Sequence, residues 1–501
     1  MKAVKLIAIC LLTAASGALA ANPESAQPDI LVIMPDQMRG DSLSSLGHPV
    51  IHTPQMDQLA KQGVLFRRAY ASVPSCIPAH YAFLTGLYPQ TSGVVGFKQK
   101  PITTPTLPGL LSDAGYSTVI VGRNMHQHPA SGSCGFEQEI LGSTYVTGDE
   151  YDQFLRKAAP ETGGIVNLVE NRMKISYNLW PAKPWPLDDE LHPTEWTVAQ
   201  SRKVVAATDR QQPLFLTASF YAPHPPLFPP KQYFDRLSAS GKLPEPAHGD
   251  WVDGESLSVN EGQKGGSRVW LQGATRRAAQ AGYFGLIEHL DNAIAPLIRD
   301  FKARSEKAGR PWVIVFTSDH GEMLGDHGYF RKCEPFEGSA NVPFIISASA
   351  SLGFKNGRTI HQPVTLEDIM PTLLGLAGAK TPAVVDGVDL APTLRGNDQT
   401  IREWLHLEHA PIYSQTQAFH ALTDGRFKYI WRPLDGTERL FDLQQDPREE
   451  RDLSAAPAHR KRLEMWRHRL VVRLADRPEG FSQNGKLIPG RPYPALNAGT
   501  L

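Results

Sequence analysis

Cysteine is scarce. The chain has 501 residues and four cysteines, and Cys10 lies in an N-terminal segment read as a removable leader. Cys76, Cys134 and Cys333 remain, an odd and widely spaced set that makes a poor disulfide framework. At least one thiol must stay unpaired or be chemically altered. An excess of one charge is also missing: Lys+Arg and Asp+Glu both total 51. No global field draws the chain to nucleic acid or to an anionic membrane surface. Long apolar runs are confined to Leu6–Ala20, which is interrupted by Thr13, Ser16 and Gly17. It falls short of the roughly 20 residues that a membrane span needs. Lys2 and Lys5 precede it and Ala18-Leu19-Ala20 supplies small residues for cleavage, so residues 1–20 are expected to be a secretory signal peptide. The mature chain is then expected in the periplasm or outside the cell, with no membrane span. No cysteine follows the cleavage site closely, which argues against a lipid anchor. Internal repeats and low-complexity tracts are absent too.

What is present describes a loop-rich globular protein, 41% hydrophobic and 20% charged, with 42 Gly and 41 Pro. Short apolar runs recur, and each ends in polar residues. Ile30–Met34 leads to Asp36 and Gln37, Ser117–Gly122 to Arg123 and His126, Leu214–Phe220 to His224, and Trp312–Ser318 to Asp319 and His320. Continuous apolar runs suit strands buried on both faces of a mainly parallel sheet, and Phe344–Ser347 reads as another. Between them, Arg276–Lys302 carries Tyr283, Leu286, Ile287, Leu290, Ile294, Leu297 and Ile298 at helical spacing. The fold class expected is α/β, a mainly parallel sheet flanked by helices. Ligands bind such folds beyond the carboxyl ends of the strands, where all four polar clusters fall.

Two regions read as irregular: Leu141–Gln212, with Trp180, Trp185 and Trp196, and Lys231–Arg268, with Trp251. Their tryptophans suit either stacking on sugar rings or a small satellite core. After Leu390 the pattern changes. Asp424–Trp431 and Glu438–Leu443 alternate like antiparallel strands, Ala458–Leu474 reads as a helix, and the Pro/Gly-rich tail from Arg477 reads as loose. The domains expected are residues 21–395, catalytic, and residues 396–501, a smaller α+β subdomain.

Asp36 and Asp319 end different strands, each followed by a further donor, Gln37 and His320. Two carboxylates with neutral oxygen or nitrogen donors suit a divalent cation. Cys76 precedes Pro78 in "SCIPAHYAFLTGLYP", so it would start a helix, where the dipole favours a thiolate; a buried inert thiol is the bland alternative.

"CIPAHYAFLTGLYP" resembles the sulfatase signature, Cys-x-Pro-x-Arg followed by Leu-Thr-Gly. "ILVIMPDQMRGDSL", "TPQMDQLAKQGVLFRRAYAS", "FTSDHGEMLGDHGYFRKCEPFEGSANVPFI", "RFKYIW" and "LFDLQQDPREERDL" extend the likeness along most of the chain. The resemblance is to formylglycine-dependent sulfatases of the alkaline phosphatase superfamily. It implies that Cys76 is oxidised by a formylglycine-generating enzyme. The hydrated aldehyde would attack sulfur, and a divalent metal would be held by Asp36, Gln37, Asp319, His320 and residue 76. Calcium is the family expectation, with manganese or another transition metal the alternative because His320 is an imidazole. By the same likeness Lys332 contacts sulfate and the leaving oxygen, and His224 protonates the leaving group. Arg123 and His126 stand in a segment one residue longer than the family's Gly-Lys-x-His. The expected substrate is a sulfated small molecule or glycan, with a carbohydrate sulfate preferred over a small aryl ester because of export and the Trp-bearing insertions.

His80 replaces the signature arginine, and this leaves several readings open. Cys76 is converted and the protein is a sulfatase; or it is unconverted and only binds sulfated ligands. Alternatively Cys76 and His80, neighbours at i and i+4, form a thiolate–imidazole pair. A phosphonate or phosphate ester hydrolase of the same superfamily is a further alternative.

Overall fold

The apolar run at the start of the mature chain becomes the centre of a sheet. The computed structural model describes residues 27–128, 132–252 and 269–497. The expected signal peptide, residues 1–20, and residues 253–268 of the second irregular region lie outside them.

The main sheet has eight strands: β1 (Asp29–Asp36), β2 (Gly63–Phe66), β3 (Ser117–Gly122), β4 (Gln138–Leu141), β5 (Leu214–Pro223), β6 (Trp312–Thr317), β7 (Phe344–Ala348) and β8 (Arg358–Ile360). Their order is β4-β3-β5-β1-β6-β7-β2-β8. Strand β1 lies parallel between β5 and β6, with Val32 opposite Thr217 and Val315. Of the strands expected from apolar runs, β7 alone runs antiparallel to its neighbours, β6 and β2.

Alternation along β1 feeds two cores. Leu31 and Ile33 pack on one face with α1 (Pro54–Lys61), α4 (Pro193–Ala207) and α5 (Gly273–Lys307). Ile30, Val32 and Met34 pack on the other with α2 (Cys76–Thr85), α3 (Leu107–Asp113) and α6 (Ile369–Leu376). Each such side chain contributes about 1.5–3 kcal/mol when fully buried. The expected stripe at Arg276–Lys302 is the inner face of α5.

Beyond the main sheet, β9 (Leu405–His409), β10 (Phe419–Thr423), β11 (Phe427–Trp431) and β12 (Glu438–Asp442) form a four-stranded antiparallel sheet in that order. One face carries α7 (Arg460–Arg473) through Trp466 and Leu470. The other packs Leu405, Phe419 and Phe441 on Tyr70, Met323 and Phe336 of the main body.

Three sequence expectations change. The tail from Arg477 is not loose: Phe481 and Tyr493 are buried, and Arg477 donates to both oxygens of Glu408 at 2.9 Å. The two irregular regions contain helices at Glu150–Ala158, Pro193–Ala207 and Lys231–Ser238. In α4, Pro193 sits in the first turn and the His192 side chain accepts from Thr194 N–H, a start built without the usual capping residues. Finally, Trp180, Trp185 and Trp196 are buried. Trp185 and Trp196 share a satellite core with Tyr151 and Phe228, and Trp180 joins the main one. The sugar-platform reading of those three fails; they are packing residues.

Candidate active site

The ends of β1 and β6 are tied together before any ligand is considered. Ser318 Oγ donates to the Pro35 carbonyl at 2.9 Å and accepts from Met38 N–H at 2.8 Å. Register slips between Pro35 and Asp36, and Gln37 has φ 70°, a left-handed conformation costly for a non-glycine residue and common at functional sites. This turn aims Gln37 N–H at Asp319 Oδ1, 2.9 Å away. The Gln37 amide is also occupied: Nε2 donates to Glu322 at 2.5 Å and Oε1 accepts from Lys332 Nζ at 2.8 Å.

Cys76 begins α2. Ser75 before it is extended, Pro78 lies in the first turn, and Gly86 ends the helix at φ 65° with its N–H on Ala82. A Cβ on Gly86 would lie 2.7 Å from Val385. The helix thereby delivers Sγ to the two strand ends. It lies 3.1 Å from His320 Nε2, 3.2 Å from Lys332 Nζ and 3.9 Å from Asp36 Oδ1. His320 Nδ1 donates to the Gly321 carbonyl at 2.9 Å, which leaves the Nε2 lone pair facing the cluster.

One ligand atom from each of Asp36, Cys76, Asp319 and His320 lies within 4.8 Å of the others. Asp319 Oδ2 is buried without a hydrogen-bond partner, and Asp36 Oδ2 meets the Arg123 guanidinium. Burial, with Asp319 adding to it against Arg123, raises the Asp36 carboxyl to about 7. Burial pushes Asp319 up as well, but His320, His80 and Arg123 hold it below the usual range. Of the two, Asp319 is the stronger acid. Two crowded carboxyls and a bare imidazole nitrogen fit a divalent cation, which would satisfy all three. A second cluster, His406, Glu408 and His420, does not: Arg477 and the Tyr493 hydroxyl already occupy Glu408.

Cations close the site. Arg123 Nε lies 2.5 Å from Asp36 Oδ2, and its Nη2 donates to His126 Nε2 at 3.0 Å. The longer segment therefore still brings both residues in. Burial opposes the charge on Lys332, but Cys76 and Asp36 hold the ammonium protonated. His224 Nδ1 donates to Pro225 O at 2.5 Å, while Nε2 is buried with no partner among the described residues. Burial, with Lys332 and Arg123 nearby, keeps its ring neutral.

His80 is placed differently from the pairing considered for it. Its Nε2 faces Asp319 Oδ2 at 3.5 Å, and its ring stands 5.4 Å from that of His126. The Cys76 thiol meets His320 and Lys332 instead. Burial raises that thiol to about 12, so the thiolate expected from the helix dipole does not form: desolvation outweighs it. Burial, with Arg123 adding to it, also lowers His80 to about 3, which leaves no imidazolium to activate a neighbour. Several contributors were not singled out from sequence. Glu322 follows Asp319-His320-Gly321 and fixes Gln37. Tyr177 stacks on His224 at 5.1 Å, and Tyr221 lies under Arg123 at 5.5 Å. Tyr177 comes from a loop with no periodic signal; Tyr221 lies in β5, next after the apolar run Leu214–Phe220, and Glu322 had its nearness to Asp319 as a cue.

Residues 28–379 match the sulfatase family, and residues 325–475 match the C-terminal region of N-sulphoglucosamine sulphohydrolase. The chain belongs to the sulfatase family. An arylsulfatase of Clostridium perfringens is 34% identical over 490 residues, 94% of this chain and 99% of the relative. An N-acetylglucosamine-6-O-sulfatase of Bacteroides thetaiotaomicron is 25% identical over 485 residues, covering 87% and 85% of the two chains. In fold, the sulfatase superposes on the phosphonate monoester hydrolase of Agrobacterium radiobacter with TM-score 0.75 at 24% identity, over 90% of this chain and 96% of that one. It is a sulfuric ester hydrolase, of a family that generally uses a metal and formylglycine. Among the described residues of the sulfatase, no helix is long and apolar enough to cross a membrane.

Proposed function

We propose that this sulfatase is exported, carries formylglycine at position 76, and removes sulfate from a carbohydrate ester. The observation that carries the reading is the convergence of Asp36, His320 and Lys332 on the side chain of Cys76. Oxidation of that side chain to an aldehyde hydrate would supply the nucleophile. Asp36, Asp319 and His320 would hold a divalent cation that acidifies the nucleophile and draws charge from the sulfate oxygens. Calcium is the family expectation, and the imidazole of His320 also admits manganese. Gln37, whose amide is spent on Lys332 and Glu322, orients the lysine here.

Lys332 is the fixed cation beside the reacting atom. It meets negative charge as it grows on the sulfate and on the departing oxygen, in a site too dry for water to do so. His224, protonated on Nδ1 by its bond to Pro225, offers a bare Nε2. It accepts a hydrogen bond before it can give one. Lys332 is the group that already carries a proton for the alcohol leaving. Arg123 neutralises Asp36, and the Tyr177 and Tyr221 rings exclude water on that side.

Support for a carbohydrate comes from relatives named for sugar sulfates, the N-acetylglucosamine-6-O-sulfatase and a hexuronate-2-O-sulfatase. A structural neighbour is in complex with D-glucosamine-2-N,6-O-disulfate, with TM-score 0.69. Export rests on the leader-like residues 1–20. Mass spectrometry of the tryptic peptide Ala69–Lys98 from the native host is the test. The expected result is an aldehyde in place of the thiol, with release of sulfate from sugar and aryl sulfates and slower turnover of phenylphosphonate esters. A thiol in every molecule, with sulfate still released, would refute the formylglycine reading.

A further inference from the structure

The C-terminal subdomain contains a cavity of about 550 Å³ between α7, the residue before β9 and the short helix Pro89–Ser92. Its wall is mostly apolar. Trp404 is part-exposed and packs against the C-terminal core, and Val472 is 61% exposed. Basic residues face the same space, and they are not equally engaged. Arg477 is spent on Glu408 and Glu479. Arg469 lies over the Trp466 ring at 4.6 Å and reaches Glu403 only at 4.0 Å, a surface pair of little strength. Arg473 makes no hydrogen bond or ion pair among the described residues; its guanidinium lies 6.0 Å from the centroid of the Tyr88 ring, and its Nε is buried without a hydrogen-bond partner. The acids nearest in charge are Glu408, already held by Arg477, and Asp386, whose carboxylate accepts from Tyr88 N–H. A sheltered guanidinium without a counter-charge is costly, and here burial lowers its pKa despite those two carboxylates. Among the described residues, Asp476 is the one acidic group lining the space.

We propose that this cavity is a second binding site, separate from the catalytic centre, for a ring that carries an oxyanion: a sulfated or carboxylated sugar unit. Arg473 takes the anionic group, and Trp404 with Val472 takes the ring. The dimensions suit such a ligand. Helix α2 spans about 15 Å, Gln90 lies beyond its far end, and none of the charged groups acting on Cys76 belongs to the cavity. A molecule bound here therefore does not block the reaction; it holds the enzyme on an anionic glycan.

The test is calorimetric titration of full-length Cys76→Ala protein, which turns over no ester, with glucose 6-sulfate, glucuronate and inorganic sulfate. Arg473→Gln and Val472→Glu, each added to that background, are expected to weaken binding of one or both sugar anions by about tenfold or more. Inorganic sulfate, which offers Trp404 nothing, is expected to bind about tenfold more weakly than the sugar anion. Loss for glucose 6-sulfate assigns a sulfate ligand, and loss for glucuronate a carboxylate. Val472 is exposed, so Val472→Glu keeps its fold while placing a negative charge in the cavity. Isotherms unchanged by both substitutions would overturn the proposal. Neither substitution alters phenyl sulfate turnover in Cys76-bearing protein. Absence of that turnover would instead strike the reaction proposed above and leave the cavity result standing.

Discussion

Lys332 and His80 both border the catalytic cluster and carry opposite expectations. Lys332 Nζ, 3.2 Å from Cys76 Sγ, acts where charge develops. Lys332→Ala should lower kcat by about 100–1000-fold, measured with aryl sulfate, while circular dichroism stays native. A loss confined to KM would show that the ammonium serves binding alone. His80 is buried beside His126, near the Arg123 and Lys332 cations. His80→Arg restores the family signature but adds volume and a third cation to this pocket. It should cost about 1–3 kcal/mol of stability, read from urea melts; an unchanged midpoint would show that the pocket has room. Arg123, on Asp36, already supplies a guanidinium at the centre. The sequence pattern located both residues and could not show this, because His80 on α2 and Arg123 after β3 come near one another only in the tertiary fold.

At the scale of elements, most of the sheet was legible. β1, β3, β5 and β6 are continuous apolar runs, and each ends at a site residue because a buried strand must shed its polar groups at its ends. The helices of the irregular regions were not, since α4 begins at His192-Pro193 and carries Trp196 and Thr197 inward instead of a plain aliphatic stripe. Helix α1 shows a second kind of hidden dependence. Asp291, inside α5, accepts the backbone N–H groups of Gln55 and Met56 at the start of α1. Burial raises its carboxyl to about 7, against those two bonds. The unfolded chain releases that proton near 4, so between pH 4 and 7 the folded state holds the extra proton. Asp291 therefore makes stability fall as pH rises, by about 1.4 kcal/mol per pH unit at most. Asp291→Asn should flatten that slope. Parallel stability–pH curves for the two proteins would refute the assignment.

The small antiparallel sheet meets the rest of the described residues through buried polar pairs, Lys428 with Glu337 and Arg432 with Glu334, as well as an apolar face. Glu408 on β9 holds Arg477 through two bonds and accepts the Tyr493 hydroxyl, fastening the C-terminal tail over the small sheet. Burial pushes Glu408 up, but Arg477 holds it well below the usual carboxylate range. Glu408→Gln leaves Arg477 with only Glu479 and should cost about 3 kcal/mol, measured by denaturant melts. A loss under about 0.5 kcal/mol would mean that the tail is held by Phe481 and Tyr493 packing instead.

The sequence by itself determined the family, the α/β order of elements and the strand-end residues, because apolar periodicity and short motifs are local properties of the chain. Only tertiary structure decided that the tail is ordered, that the three insertion tryptophans Trp180, Trp185 and Trp196 are core, that the Cys76 thiol is neutral and that His80 faces Asp319. Each of these depends on desolvation and on charges brought from distant segments, and neither quantity exists until the chain has folded.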